Sequence, residues 1–263
     1  MLSMRKNIIS IFDLSNKIAV VTGAGSGLGK VISEVMGEAG ASVVCVDVNE
    51  KTARMTSSDI KKLNVDSMHI RCDVSKEKEV LDMFESIFKK FGKVDILFNN
   101  AGISGDNVKL SELSLKRWNK VIGINLTGIF LCAREAVKIM VKQKSGKIIN
   151  ISSILSFVGG FPNLMIPAYH AAKGAINSLT REMALEYAKD GICINAIAPG
   201  FFYTNISKRL KDPNVRGTME SLIPMGIIAE AGDIKGTALF LASKASDYIT
   251  GTILVIDGGY SVK

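Results

Sequence analysis

The sequence predicts an α/β protein: one domain on a doubly wound sheet of about seven parallel strands, with helices on both faces. Three observations carry this. Short runs rich in β-branched residues recur along the 263 residues. The stretches between them have helical spacing, and polar side chains gather at the carboxyl ends of the runs. A chain of this length buries one sizeable core, and no Pro/Gly/Ser-rich linker, repeat or low-complexity tract divides it.

The strands in order are "KIAVVT" (17–22), "ASVVCVDV" (41–48), "SMHIRCDV" (67–74), "VDILFNN" (94–100), "GKIINISS" (146–153), "ICINAIAPG" (192–200) and "TILVIDGG" (252–259). Most are nearly all apolar, as expected where helices cover both faces of a sheet. Between them lie stretches such as "EKEVLDMFESIFKKFG" (77–92), whose Val80, Phe84, Ile87, Phe88 and Phe91 share a helix face. Alternation of this kind implies parallel pairing, because each crossover needs a helix and takes the right-handed path. Thr22, Asp47, Asp73, Asn99, Ser152 and Ser153 fall at carboxyl ends of strands, the edge outside which open α/β sheets bind ligands. The stretch 200–229, broken by Pro213 and Pro224, has weak local structure and is the candidate substrate cover.

Composition narrows the class. Hydrophobic residues make up 47% and charged residues 22%, an ordinary soluble balance. The net charge of +8 is scattered through amphipathic segments such as "KTARMTSSDIKKL", so it reads as solvated helix faces and not as a nucleic-acid surface. Cys45, Cys72, Cys132 and Cys193 form neither a C-x-x-C pair nor a Cys/His cluster, which signals no metal site or disulfide framework. They read as buried thiols in a reducing compartment. No apolar run approaches the roughly 18 residues that span a bilayer, and "MLSMRKNIISIF" is too short to be a signal peptide. A cytoplasmic location is expected.

The loop "VVTGAGSGLGK" (20–30) follows the first strand and opens a helix. It lacks the Walker pattern, since Ala24 stands five before Gly29 and Val31 replaces the hydroxyl. It also departs from G-x-G-x-x-G, because Leu28 occupies the sixth position after Gly23. What remains is T-G-x-x-x-G-x-G, in which Thr22, Gly23, Gly27 and Gly29 permit a tight turn and bring a helix amino terminus to a pyrophosphate. Asp47 ends the second strand about 20 residues on, where a carboxylate accepts from a ribose 2′-hydroxyl. A 2′-phosphate would meet like charge there, and Val48, Ala24, Gly25 and Ser26 offer no cation, so NAD is expected in preference to NADP.

"AYHAAKG" puts Tyr169 and Lys173 on one helix face, and a nearby ammonium favours an ionised phenol. With Ser153 at the end of the preceding strand, "NNAG" (99–102), Asn125 in "GINLTG" and "APGFFYT", the chain resembles the classical short-chain dehydrogenase/reductase family, with its Rossmann-like fold, from about Leu14 to Gly259. The resemblance implies that Tyr169 is the general acid/base and that Lys173 lowers its pKa and holds the nicotinamide ribose. It implies that Ser153 holds the substrate oxygen and that Asn125 anchors a water used for proton exchange. It assigns the coenzyme to Gly23, Ser26, Gly27, Leu28, Gly29, Asp47, Val48, Asp73, Val74, Asn99, Ala101, Gly102, Tyr169, Lys173, Pro199, Gly200, Phe202 and Thr204. Ser153 is preferred to Ser152 and Ser156 because "IINISS" aligns it with the strand end, which leaves an insertion of about three residues in "FVGGFPNLMIP".

Within the family the closest likeness is to the gluconate 5-dehydrogenase and 2-deoxygluconate 3-dehydrogenase group, which implies a sugar acid or polyol. The inserted "FPNLMIP" with Phe201 and Phe202 would suit a hydrophobic alcohol or steroid as well. Lys208, Arg209 and Lys211 are candidate partners for an acid. An acyl-carrier-protein ketoreductase is the nearest enzymatic rival, and a cofactor-binding regulatory protein the rival of another class. A Ser/His/Asp hydrolase is disfavoured, since His69 falls within a strand and His170 has no G-x-S-x-G elbow to serve. Trp118 and the methionines read as core and helix packing. The family also implies a homotetramer, with helices at Trp118–Lys142 and Tyr169–Tyr187 and the final strand near Asp257 at interfaces.

Overall fold

The computed structural model of the chain describes residues 8–160, 164–204 and 212–262. Seven strands form one parallel sheet: β1 (Ile18–Thr22), β2 (Ser42–Asp47), β3 (Ser67–Arg71), β4 (Ile96–Asn99), β5 (Gly146–Ile151), β6 (Ile192–Pro199) and β7 (Ile253–Ile256), in the order 3-2-1-4-5-6-7. The winding reverses between β1 and β4, which opens a crevice at their carboxyl ends.

Helices α1 (Gly27–Glu38), α2 (Glu50–Lys61), α3 (Glu77–Phe91), α4 (Leu115–Ile122), α5 (Gly128–Gln143), α6 (Pro167–Tyr187), α7 (Pro213–Leu222) and α8 (Lys235–Ala242) connect and flank the strands. Alternation along each strand feeds two cores. Val20, Val44, Val46, Leu97 and Ile148 pack under α3, α5 and α6. Ala19, Val21, Val43, Cys45 and Phe98 pack under α1, α2 and α8.

Local departures from the sequence pattern have physical causes. On α3, Val80, Met83, Phe84 and Ile87 are buried, whereas Phe88 is 52% exposed. At 100° per residue Phe88 lies at the rim of the apolar arc and Met83 inside it. β3 stops at Arg71, because Asp73 turns the chain by accepting from the Ser75 amide and hydroxyl (3.1 and 2.6 Å). The expected helix across 118–142 is interrupted by a π turn at Gly123–Thr127, centred on buried Asn125. Pro213 does not break structure but starts α7, capped by Asp212. Trp118 is only half-buried, and Met55, Met165 and Met225 are exposed, while Met36, Met83 and Met140 are core. Cys45, Cys72 and Cys132 are buried and Cys193 partly so. Burial pushes the thiols of Cys45 and Cys72 up to about 12.

Candidate active site

The end of β1 is fastened to the end of β4 by one hydroxyl. Thr22 Oγ1 donates to the Phe98 carbonyl (3.3 Å) and accepts from the amides of Asn100 (3.0 Å) and Ala101 (3.1 Å). The Asn100 side chain donates back to the carbonyls of Thr22 and Gly23 (2.9 and 3.3 Å). Together they form the floor of a cleft of about 380 Å³ at the switch point between β1 and β4.

The glycine loop runs along this floor. Gly23 and Gly27 adopt left-handed backbone (φ +68° and +54°), a conformation a side chain would strain. A Cβ on Gly29 would fall 2.1 Å from the Gly23 carbonyl oxygen, so α1 approaches the loop more closely than any other residue allows. Ser26, the N-cap of α1, makes no side-chain capping bond, which leaves the first-turn amides beside the cleft. Next to them Asp47 Oδ2 accepts from the Gly25 amide and Oδ1 from the Asn49 amide, both at 2.9 Å. These features fit a dinucleotide: amides for a pyrophosphate and a fixed carboxylate for ribose hydroxyls.

Of the residues assigned from sequence, Gly23, Ser26, Gly27, Leu28, Asp47, Val48, Asp73, Val74, Ala101, Gly102, Ser153, Tyr169, Lys173, Pro199, Gly200, Phe202 and Thr204 all line this cleft. Gly29, Asn99 and Asn125 stand behind its wall. Asn99 Nδ2 donates to Asn150 Oδ1 (2.9 Å), and Asn150 Nδ2 to Thr180 Oγ1 (2.9 Å), a buried row joining β4, β5 and α6. Asn125 holds both polar groups of one residue: Oδ1 accepts from the Ile103 amide (2.9 Å) and Nδ2 donates to the Ile103 carbonyl (2.8 Å). Its side chain is therefore committed to the loop after β4. Asn100, within the "NNAG" motif, also lines the cleft, whereas Cys72, Ile103, Ile124 and Ile151 carried no sequence signal of their own beyond proximity to motifs.

On the opposite wall, β5 ends at Ile151 and delivers three serine hydroxyls within six residues. Ser152 Oγ donates to Asn177 Oδ1 (2.6 Å), and Ser156 Oγ accepts from Asn177 Nδ2 (2.7 Å) while donating to the Ser153 carbonyl. Both are consumed in packing α6. Ser153 Oγ accepts from the Leu155 amide (3.2 Å) and is the serine whose hydroxyl eases ionisation of the Tyr169 phenol. Lys173 is 4% exposed, donates from Nζ to the Ile151 carbonyl (2.5 Å) and lies 5.5 Å from the centre of the Tyr169 ring.

Burial governs the titration of both groups. It pushes the Tyr169 phenol up, offset in part by the Ser153 hydroxyl, and pulls the Lys173 ammonium down to about 7. The expected lowering of the phenol by an adjacent cation is thus absent from this state, because Lys173 is itself driven toward the neutral amine. Asp73 is different: burial raises its carboxyl, but the bonds from Ser75 outweigh that and hold it below the usual range.

Beyond the phenol, Ile154, Leu155 and Ile166 form a small apolar cluster with Val158, Leu164, Tyr169, Phe201 and Tyr260. Phe201 and Tyr260 meet edge to face at 5.2 Å. The cover segment is tied at its base, where Phe202 pairs with Ala229, and the Tyr203 amide donates to the Ala229 carbonyl (2.9 Å). Phe161, Pro162 and Asn163 of the insertion, and Lys208, Arg209 and Lys211, lie outside the described residues.

A switch-point cleft with a glycine loop, a carboxylate at the end of β2 and a Ser–Tyr–Lys wall fits a nicotinamide-dependent oxidoreductase of Rossmann type. Residues 23–261 match the family model described as enoyl-(acyl carrier protein) reductase, and the chain belongs to the short-chain dehydrogenase/reductase family. It is 38% identical over 251 residues to cis-4-hydroxycyclohexanecarboxylate dehydrogenase of Sinomonas cyclohexanicum, covering 94% of this chain and 97% of that one. It is likewise 38% identical over 250 residues to 2-dehydro-3-deoxy-D-gluconate 5-dehydrogenase of Bacillus subtilis, covering 95% and 96%. A gluconate 5-dehydrogenase from Burkholderia cenocepacia, solved with NADP and tartrate, superposes with a TM-score of 0.92 at 32% identity over 97% of this chain and 99% of that one. Among the described residues no helix is long and apolar enough to cross a membrane.

Proposed function

We propose that this chain interconverts a secondary alcohol and a ketone with NAD(H), using Tyr169 as the proton donor and acceptor. The observation that carries the reading is the convergence of Ser153, Tyr169 and Lys173 on one wall of the cleft, with Lys173 buried. A bound nicotinamide supplies or takes the hydride. The amides of α1 and the glycine loop hold the diphosphate, Asp47 the adenosine ribose, Asp73 and Val74 the adenine edge, Lys173 the second ribose and Thr204 the carboxamide. Ser153 orients the substrate oxygen toward the phenol. In ketone reduction Tyr169, kept protonated by burial, gives up its proton. Lys173, with a pKa of about 7, replaces it from the solvent side at neutral pH. Asn125, at the π turn behind the cleft wall, anchors the water on that route.

NAD is preferred to NADP on the strength of Asp47, whose carboxylate opposes a 2′-phosphate, with Gly25, Ser26 and Val48 around it uncharged. For the substrate, the relatives support a sugar acid or polyol. The apolar cluster around Tyr169 favours a second class, a cyclic alcohol such as that named for the Sinomonas relative. Half-exposed β7 and the open faces of α5 and α6 support a homotetramer, and the buried free thiols support a cytoplasmic setting. The test is a panel of sugar acids, polyols, cyclic alcohols, steroids and small ketones assayed with NAD(H) and NADP(H). Turnover should favour NAD(H) and fall at least about 100-fold in Tyr169→Phe, the scale of general acid/base catalysis. Undiminished turnover in that variant would remove the mechanism.

A further inference from the structure

Between the Ser153 turn and α6, Met165 ties the chain to the loop after β4. Among the described residues, the backbone from Gly159 to Met165 makes two hydrogen bonds outward, and Met165 makes both. Its amide donates to Asn107 Oδ1 (2.5 Å), and its carbonyl accepts from the Val108 amide (2.9 Å). The far end of the 103–108 loop is held in the same two-bond manner, with the Asn125 side chain gripping Ile103. Asp106 pairs with Arg117 of α4 at 3.3 Å, pinning the loop between its ends. Met165 is followed by Ile166, the N-cap of α6, whose carbonyl receives the amides of Tyr169 and His170 and faces His170 Nδ1.

We infer that Asn107 is a positioning residue that sets substrate fit: it latches Met165, and so fixes Leu164 and Ile166 as the apolar wall beside Tyr169. The inference rests on the dehydrogenase reading of this site. Asn107 lies outside the coenzyme cleft and acts through the insertion, not on the reacting atoms. An amide oxygen suits the task, because Met165 precedes a proline-led helix and its N–H has no place in the helical ladder. The wall itself is carbon, so misplacing it weakens binding of the substrate body without changing the acid, the base or the coenzyme loop.

The experiment compares wild type, Asn107→Ala and Asn107→Asp on the panel substrate that wild type turns over best. NADH affinity is measured by fluorescence titration, and protection of the Met165 amide by hydrogen exchange. Loss of the acceptor should raise KM about tenfold, the scale of one lost hydrogen bond, with kcat within about threefold and NADH affinity unchanged. Met165 protection should fall at the same time. Asn107→Asp keeps an acceptor and should return both KM and protection to within about twofold of wild type. Lost protection with unchanged KM overturns the inference, as does an Asp variant no better than Ala, or a parallel collapse of kcat, KM, NADH affinity and melting temperature. A wild type that turns over nothing on the panel yet protects Met165 overturns the functional reading, and the role of the latch in substrate fit with it.

Discussion

Lys173 shows how burial, more than proximity, decides which proton moves. Its ammonium is enclosed and donates to the Ile151 carbonyl, and burial brings its folded pKa to about 7, well below the 10.5 of an exposed lysine. The sign follows from proton counting. Between pH 7 and 10.5 the unfolded chain holds a proton that the folded chain has released, so stability contributed by this site rises with pH across that window. Below pH 7 both states are protonated, and the full penalty of the buried charge is present. Urea melts of wild type and Lys173→Met should therefore diverge: wild type gains relative to the variant from pH 7 to 9.5, and the difference is flat from pH 5 to 6. A difference independent of pH across 7 to 9.5 would mean that the lysine is not titrating near neutrality. The same burial explains why the lowered Tyr169 pKa expected from the sequence is not found. Spacing of four brings the two side chains together on α6, but only the packed structure reveals that both are stripped of water.

At the scale of the element, the union of α1 with the end of β1 is the sharpest contact in the site. A methyl on Gly29 would meet the Gly23 carbonyl at 2.1 Å and Asn100 Nδ2 at 2.3 Å, neither of which can retreat without dismantling the Thr22–Asn100 fastening. A methyl on Gly27 meets nothing nearer than 3.5 Å and incurs mainly the cost of its left-handed backbone, about 1–2 kcal/mol. Gly29→Ala should accordingly lose at least about 2 kcal/mol more in urea melts than Gly27→Ala, and most of its NADH binding. Equal losses would show that α1 is free to shift. These glycines were legible in sequence because conformational demand restricts residue type. The π turn at Gly123–Thr127 was not, since "GINLTG" has ordinary helical spacing. What it does, turning Asn125 onto Ile103, depends on a loop 22 residues earlier. Ser153 was separable from Ser152 and Ser156 by alignment to the strand end. The physical reason, that Asn177 consumes the other two, requires α6 in place.

For the molecule as a whole, the parallel doubly wound sheet was implicit in the alternation of apolar runs and helical stretches, whereas the order of its strands and the exposure of its outer surface were not. β7 closes the sheet with four aliphatic residues, Ile253 to Ile256, all only partly buried, and among the described residues no strand pairs with its far edge. An aliphatic edge of this kind calls for a cover. On α5 and α6, Phe130 is 45% exposed and Leu185 78% exposed, positions that a monomer would more economically fill with polar groups. In the proposed homotetramer the two separate apolar regions, an edge and a helix pair, would each form a two-fold contact, and two such contacts generate a closed assembly of dihedral symmetry. Sedimentation equilibrium should thus return about four times the 28.3 kDa chain mass. Introducing charge with Leu185→Lys and Phe130→Glu should reduce the species to dimers while β7 still pairs. Because α6 carries Tyr169 and Lys173 on the same rigid rod as Leu185, dissociation should lower turnover more than NADH affinity. A wild type sedimenting at one chain mass, with these residues substituted at no loss of activity, would leave the exposed aliphatic surface without the function assigned to it.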